Sequence, residues 1–243
     1  MSSIAIVGNG ESSLGIQQLF LKAGIKVIKL ASWKENYADK LTDVSIVIET
    51  FPDEIPRKKE VLGKIDEVAP PGVVLATTTL WNVTEVAAAT KRPQRVVGLN
   101  FTFNPSGGEC LAQIVTTLVT STETVEACQS VIEKTGVATV VVKDSPGLIL
   151  DRIMTLTINE AVIMYAANIA SIEDIDKITR LCLNWPMGPF EFADLIGLDR
   201  ILATLNLLSR EQGPQFMPCR LLKQMVAIGR LGKKTGRGFY EYG

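Results

Sequence analysis

The 243-residue sequence contains no histidine. That absence removes the side chain most often used to exchange protons near neutral pH, so any acid or base chemistry must fall to Asp, Glu, Lys, Tyr, Cys or water. It also leaves Cys110, Cys128, Cys182 and Cys219 without the usual partners of a zinc site, and no two of them form a Cys-x-x-Cys pair. No metal site is expected, and the thiols are expected to be reduced and mostly packed. No apolar run reaches the roughly 18 to 20 residues of a membrane span, and the N-terminus lacks the basic flank of a signal peptide. A cytoplasmic protein without a membrane partner is expected. Net charge is nearly absent too: 25 basic residues stand against 26 acidic ones. No block of like charge marks a nucleic-acid surface.

What is present is a large apolar fraction, 47% of residues, enough to bury a substantial core. Short apolar, β-branched runs at 4–7, 27–30, 44–48, 73–77, 96–101, 112–115 and 138–142 read as strands, largely of the buried parallel kind. Helical spacing falls between them at 14–23, 57–68, 83–89 and 124–135. Alternating strands and helices predict an α/β Rossmann-type doubly wound sheet over residues 1–144. At Asp144-Ser145-Pro146-Gly147 the pattern changes, and residues 145–243 read as an all-α domain. A central helix is expected over 149–170, with Ser171 as the N-cap of the next. No flexible linker separates the two parts.

The first strand runs into Gly8-Asn9-Gly10-Glu11-Ser12-Ser13. This matches Gly-x-Gly-x-x-Gly at Gly8 and Gly10, with Ser13 in the third place. Between a strand and a helix, such a turn lets the backbone approach a pyrophosphate at a positive helix end. Glu11 puts a negative charge beside the expected phosphates. The second strand should end in a carboxylate that holds the ribose hydroxyls of NAD, and that position falls on Ala31. Ser32 and Lys34 could instead seat the 2′-phosphate of NADP. An empty crevice is the other reading, so NAD, NADP or no cofactor at all stay open.

Several segments carry a resemblance. Residues 45–60, 84–93 and 141–147, the run Trp-Pro-Met-Gly-Pro-Phe-Glu-Phe-Ala-Asp-Leu-Ile-Gly-Leu-Asp at 185–199, and Gly-Arg-Leu-Gly-Lys-Lys-Thr-Gly-Arg-Gly-Phe-Tyr at 229–240 together resemble the 3-hydroxyacyl-CoA dehydrogenases over nearly the whole chain. The resemblance implies a catalytic histidine paired with a glutamate, helped by a serine and an asparagine that polarise the substrate oxygen. Here the histidine position falls on Asn100 or Phe101, in a segment one residue longer than the family pattern. The glutamate matches Gln113, the serine Thr79 and the asparagine Asp151. The dyad is therefore lost at both members, and Asp151, Tyr165 and Cys110 are the available substitutes as proton donors. The link from Ala31 to Val44 is also shorter than in the family, and Trp81 either fills the core or closes the nicotinamide pocket.

These losses lead to the expectation of a non-catalytic homologue, a pseudoenzyme. It would serve as a subunit beside a related enzyme, or bind an acyl-CoA or nucleotide with Arg57, Lys58 and Lys59 as anion contacts. The alternative is an atypical NAD(P)-dependent oxidoreductase acting on a 3-hydroxyacyl-CoA or related carbonyl. The resemblance further implies a homodimer, or a heteromer with a related enzyme, formed through the helical domain.

Overall fold

The computed structural model describes residues 3–8, 11–30, 37–52, 54–103 and 110–243. The chain divides into two compact units, Met1–Ser145 and Pro146–Gly243.

The first unit is a seven-stranded sheet in the order β2-β1-β3-β4-β5-β6-β7. Its strands are β1 (Ser3–Val7), β2 (Val27–Leu30), β3 (Val44–Glu49), β4 (Val74–Thr77), β5 (Val96–Phe103), β6 (Cys110–Thr116) and β7 (Ala138–Lys143). Every residue of β1 and β4 is buried, which explains why these runs are apolar without alternation. Helices cover both faces. On one, Ile16 and Phe20 of α1 (Glu11–Lys22) and Val131 and Ile132 of α4 (Thr122–Glu133) pack on Ile4, Ile6, Ile46 and Ile48. On the other, Val61, Leu62 and Ile65 of α2 (Ile55–Val68) and Val86 of α3 (Val83–Ala87) pack on Ala5, Val7, Val47 and Leu75.

The largely parallel sheet has one antiparallel pair. β5 and β6 pair antiparallel, and β7 then runs parallel to β6. The cause is the link from Phe103 to Cys110, far shorter than the roughly dozen residues a parallel crossover requires. The reversal sets Asn100 directly opposite Gln113.

The second unit contains α5 (Leu150–Ala166), α6 (Ile172–Leu183), α7 (Pro189–Ile196), α8 (Leu198–Gln212) and α9 (Arg220–Ala227) around a core that includes Ile158, Val162, Phe190, Leu205 and Leu222. α5 stops short of the expected 149–170 because Asn168 adopts a left-handed conformation, φ 56°, which no α-helix continues through. Ser171 caps α6 by accepting the Asp174 N–H.

Two buried carboxylates tie this unit to its C-terminal segment. Asp176 accepts the Phe190 and Glu191 N–H groups and the Tyr240 hydroxyl, at 2.8, 3.1 and 2.8 Å. Asp194 accepts the Phe239 and Tyr240 N–H groups and the Tyr242 hydroxyl, at 3.0, 2.8 and 3.1 Å. The long matching segments at 185–199 and 229–240 thus interlock as one structural device. Of the four free thiols, only Cys128 is fully buried and Cys182 is exposed, so the expectation of mostly packed cysteines holds for one of them outright. Among the described residues no helix is long and apolar enough to cross a membrane.

Candidate active site

In the sheet unit, the carboxyl ends of β1 and β3 lie side by side where the strand order reverses, the place at which open α/β sheets bind nucleotides. Gly8 ends β1 with φ +130°, and a Cβ there would stand 2.4 Å from Thr50 Oγ1. Thr50 is itself fixed by donating its N–H and its hydroxyl to Val7 O, at 2.9 and 3.1 Å. Ser13 is fully buried and donates its hydroxyl to Gly8 O at 3.0 Å, so the third position of the turn clamps the first. At the first residue of this turn the chain thus meets the tight-turn requirement of a dinucleotide site. Gly10, Ala31, Ser32 and Lys34 lie outside the described residues.

A second cluster forms across β4, β5 and β6. Asn100 donates from Nδ2 to the carbonyl of Thr79 at 2.8 Å. Gln113, 4% exposed, donates from Nε2 to Thr102 Oγ1 at 3.4 Å, while its buried Oε1 has no hydrogen-bond partner among the described residues. The Thr79 hydroxyl donates to Trp81 O at 2.7 Å and accepts the Trp81 N–H at 3.3 Å. Three of the four matched positions therefore meet in one place. Strand alternation separates the two candidates for the histidine position: Asn100 shares a face with Gln113, whereas Phe101 points to the other face and stacks edge-on against Phe20, ring centroids 6.3 Å apart. Trp81 is half-buried beside Thr79 and is no core filler.

Asp151 belongs to the helical unit. It sits in the first turn of α5, with Arg200 Nη2 3.8 Å from its Oδ1 and its carbonyl accepting the Thr155 hydroxyl. Of the other suggested donors, Tyr165 packs edge-on against Phe190, and burial pushes the Cys110 thiol up, away from easy ionisation.

The expected anion contacts are corrected. Lys58 is fully buried in an ion pair with Glu49, Nζ to Oε2 3.1 Å. Arg57 lies over the Phe51 ring, 4.3 Å from its centroid, and Lys59 pairs with Glu85 at 3.1 Å. The Glu49–Lys58 pair went unread in the sequence, where three consecutive basic residues look like a solvated face. A glutamate inside an otherwise apolar strand is the signal that could have found it, because such a charge needs a buried partner.

The model of the 3-hydroxyacyl-CoA dehydrogenase NAD binding domain matches residues 26–145, and that of the C-terminal domain matches residues 147–242. A probable 3-hydroxybutyryl-CoA dehydrogenase of Bacillus subtilis is 40% identical over 199 residues, 81% of this chain and 69% of the relative. The 3-hydroxybutyryl-CoA dehydrogenase of Clostridioides difficile is 38% identical over 219 residues, 89% of this chain and 77% of the relative. The crystal structure of M. tuberculosis FadB2 superposes with a TM-score of 0.91 at 29% identity, covering 100% of this chain and 99% of that one.

These likenesses overturn the expectation of a pseudoenzyme. Relatives 35–40% identical over most of the chain are named as dehydrogenases. By both domain matches, the chain belongs to the 3-hydroxyacyl-CoA dehydrogenase family.

Proposed function

We propose that this protein is an NAD(P)-dependent oxidoreductase acting on a 3-hydroxyacyl-CoA or a related carbonyl substrate. The observation that carries the reading is the meeting of Thr79, Asn100 and Gln113 in one cluster of the sheet unit. The nicotinamide would supply or take up the hydride when bound. Gly8 and Ser13 would hold the pyrophosphate backbone, and Ser32 and Lys34 would favour a 2′-phosphate. Asn100 offers its second amide N–H as a hydrogen-bond donor to a substrate oxygen, and the Thr79 hydroxyl becomes a donor once it turns from Trp81 O to the substrate. The buried Gln113 Oε1, unpartnered among the described residues, is an acceptor suited to an ordered water or a substrate hydroxyl. Neither amide ionises, so this cluster polarises the carbonyl while the proton is exchanged by water.

We infer further that the helical unit carries the surface for a second copy or a related subunit. Ile149, Ile153, Leu156 and Ile163 are exposed along α5 and the residue preceding it, an apolar stripe at helical spacing.

The test is turnover of acetoacetyl-CoA with NADH and with NADPH, followed by nucleotide absorbance, alongside calorimetric titration of both. Oxidation of either nucleotide, dependent on the acyl-CoA, supports the reading. No turnover at saturating substrate rejects it.

A further inference from the structure

The peptide that carries Thr79 is held from both sides. Asn100 Nδ2 donates to the carbonyl of Thr79, and on the preceding residue Lys58 Nζ donates to the carbonyl of Thr78, both at 2.8 Å. The same ammonium donates to Phe51 O at 2.8 Å, in the segment that leaves β3. Glu49, the last residue of β3, anchors it at 3.1 Å and also accepts the Thr77 hydroxyl and the Phe51 N–H, each at 2.6 Å. Lys58 and Glu49 are both 0% exposed.

We propose that Lys58, anchored on Glu49, is a positioning residue for the reaction, fixing the chain after β4 so that the Thr79 hydroxyl is aimed beside Asn100; this rests on the reading of Thr79 and Asn100 as part of the reacting site. A buried ion pair is a poor way to gain stability, since apolar side chains of the same volume commonly do as well or better. An apolar side chain cannot bridge the segments after β3 and β4 through their carbonyl oxygens, and Lys58 does so from α2. The three donors of an ammonium suit this arrangement: one for Glu49, one for Phe51 O and one for Thr78 O.

The test compares Lys58→Met with the double variant Glu49→Gln/Lys58→Met. The glutamine retains an acceptor for the Phe51 N–H, and its amide N–H reverses the bond to the Thr77 hydroxyl, which then accepts, so the double variant leaves no unpaired buried charge. Two readouts are taken: kcat and KM with NAD(P)H and acetoacetyl-CoA, and hydrogen exchange of the Trp81 amide, which reports the bond to Thr79 Oγ1. In both variants kcat is expected to fall on the order of 10²-fold, the scale of a small misplacement, with KM little changed. Trp81 exchange should quicken while β1 and β3 stay protected. The double variant should regain stability without regaining kcat, which separates aim from folding. A folded double variant with wild-type kcat and wild-type Trp81 exchange overturns the proposal. Should the wild-type protein not turn over at all, the proposed activity fails, and Trp81 exchange in the double variant alone decides whether Lys58 positions Thr79.

Discussion

Asn100 stands directly across the antiparallel β5–β6 pair from Gln113, and its amide nitrogen reaches the Thr79 carbonyl at 2.8 Å. The family resemblance places a histidine and a glutamate at these two positions, so an uncharged pair occupies the ground of a titrating one. The wild-type pH–rate profile should then show no limb near pH ~6.5, the ordinary histidine value. Installing Asn100→His with Gln113→Glu should create such a limb and raise the rate on the order of 10²- to 10⁴-fold, the usual contribution of a placed general base. Profiles of kcat/KM against pH for both proteins check this. A wild-type limb near 6.5 would show that another group does the proton work.

Gly8→Ala should damage both fold and nucleotide binding. At φ +130° a side chain is strained, and the added carbon would press on Thr50 Oγ1. A loss of about 1–3 kcal/mol in stability is expected, together with weaker NAD(P)H binding, because Thr50 is pinned to Val7 and cannot withdraw freely. Urea melts and calorimetry would measure the two effects. An alanine variant with unchanged nucleotide affinity would remove Gly8 from the phosphate site.

The sheet was readable strand by strand because buried β-branched runs differ plainly from helical spacing, as in residues 44–48. Strand direction was not readable that way, since periodicity is the same in either sense; only the short link before Cys110 carried the reversal. The resemblance singled out Thr79, Asn100 and Gln113 in the sequence, but that they lie close together and that Phe101 faces the other way needed the strand pairing. Lys58 was hidden by its charged neighbours Arg57 and Lys59, although nothing in a charge run says which member turns inward.

Tyr240→Phe should cost stability in a pH-dependent way. Burial raises the Asp176 carboxyl above its ordinary range, opposed by hydrogen bonds from the Phe190 N–H, the Tyr240 hydroxyl and the Glu191 N–H. With a raised folded pKa, the stability linked to Asp176 is fully present below the unfolded value and is lost as pH rises through the folded one. The Tyr240 hydroxyl limits that loss by favouring the carboxylate. Removing it should cost about 1.5–3 kcal/mol at pH ~7. The cost should shrink in acid, once the carboxyl is protonated in the folded protein. Denaturant melts of both proteins across this range give the difference directly, and a cost independent of pH would rule the mechanism out.

The apolar stripe on the helical unit yields the remaining expectation. Ile153 is 54% exposed in the chain alone, so Ile153→Lys removes little from the core of its own unit, and an isolated subunit should lose no more than about 0.5 kcal/mol. If the stripe meets a second copy, the same change places a charge in an apolar contact and leaves it unpaired, which interfaces tolerate poorly. Sedimentation should therefore show a wild-type dimer and a variant shifted toward monomer, with circular dichroism unchanged. A wild-type protein that sediments as a monomer would mean that these side chains face solvent or a different partner, whereas a dimeric variant would place the contact elsewhere on the helical unit.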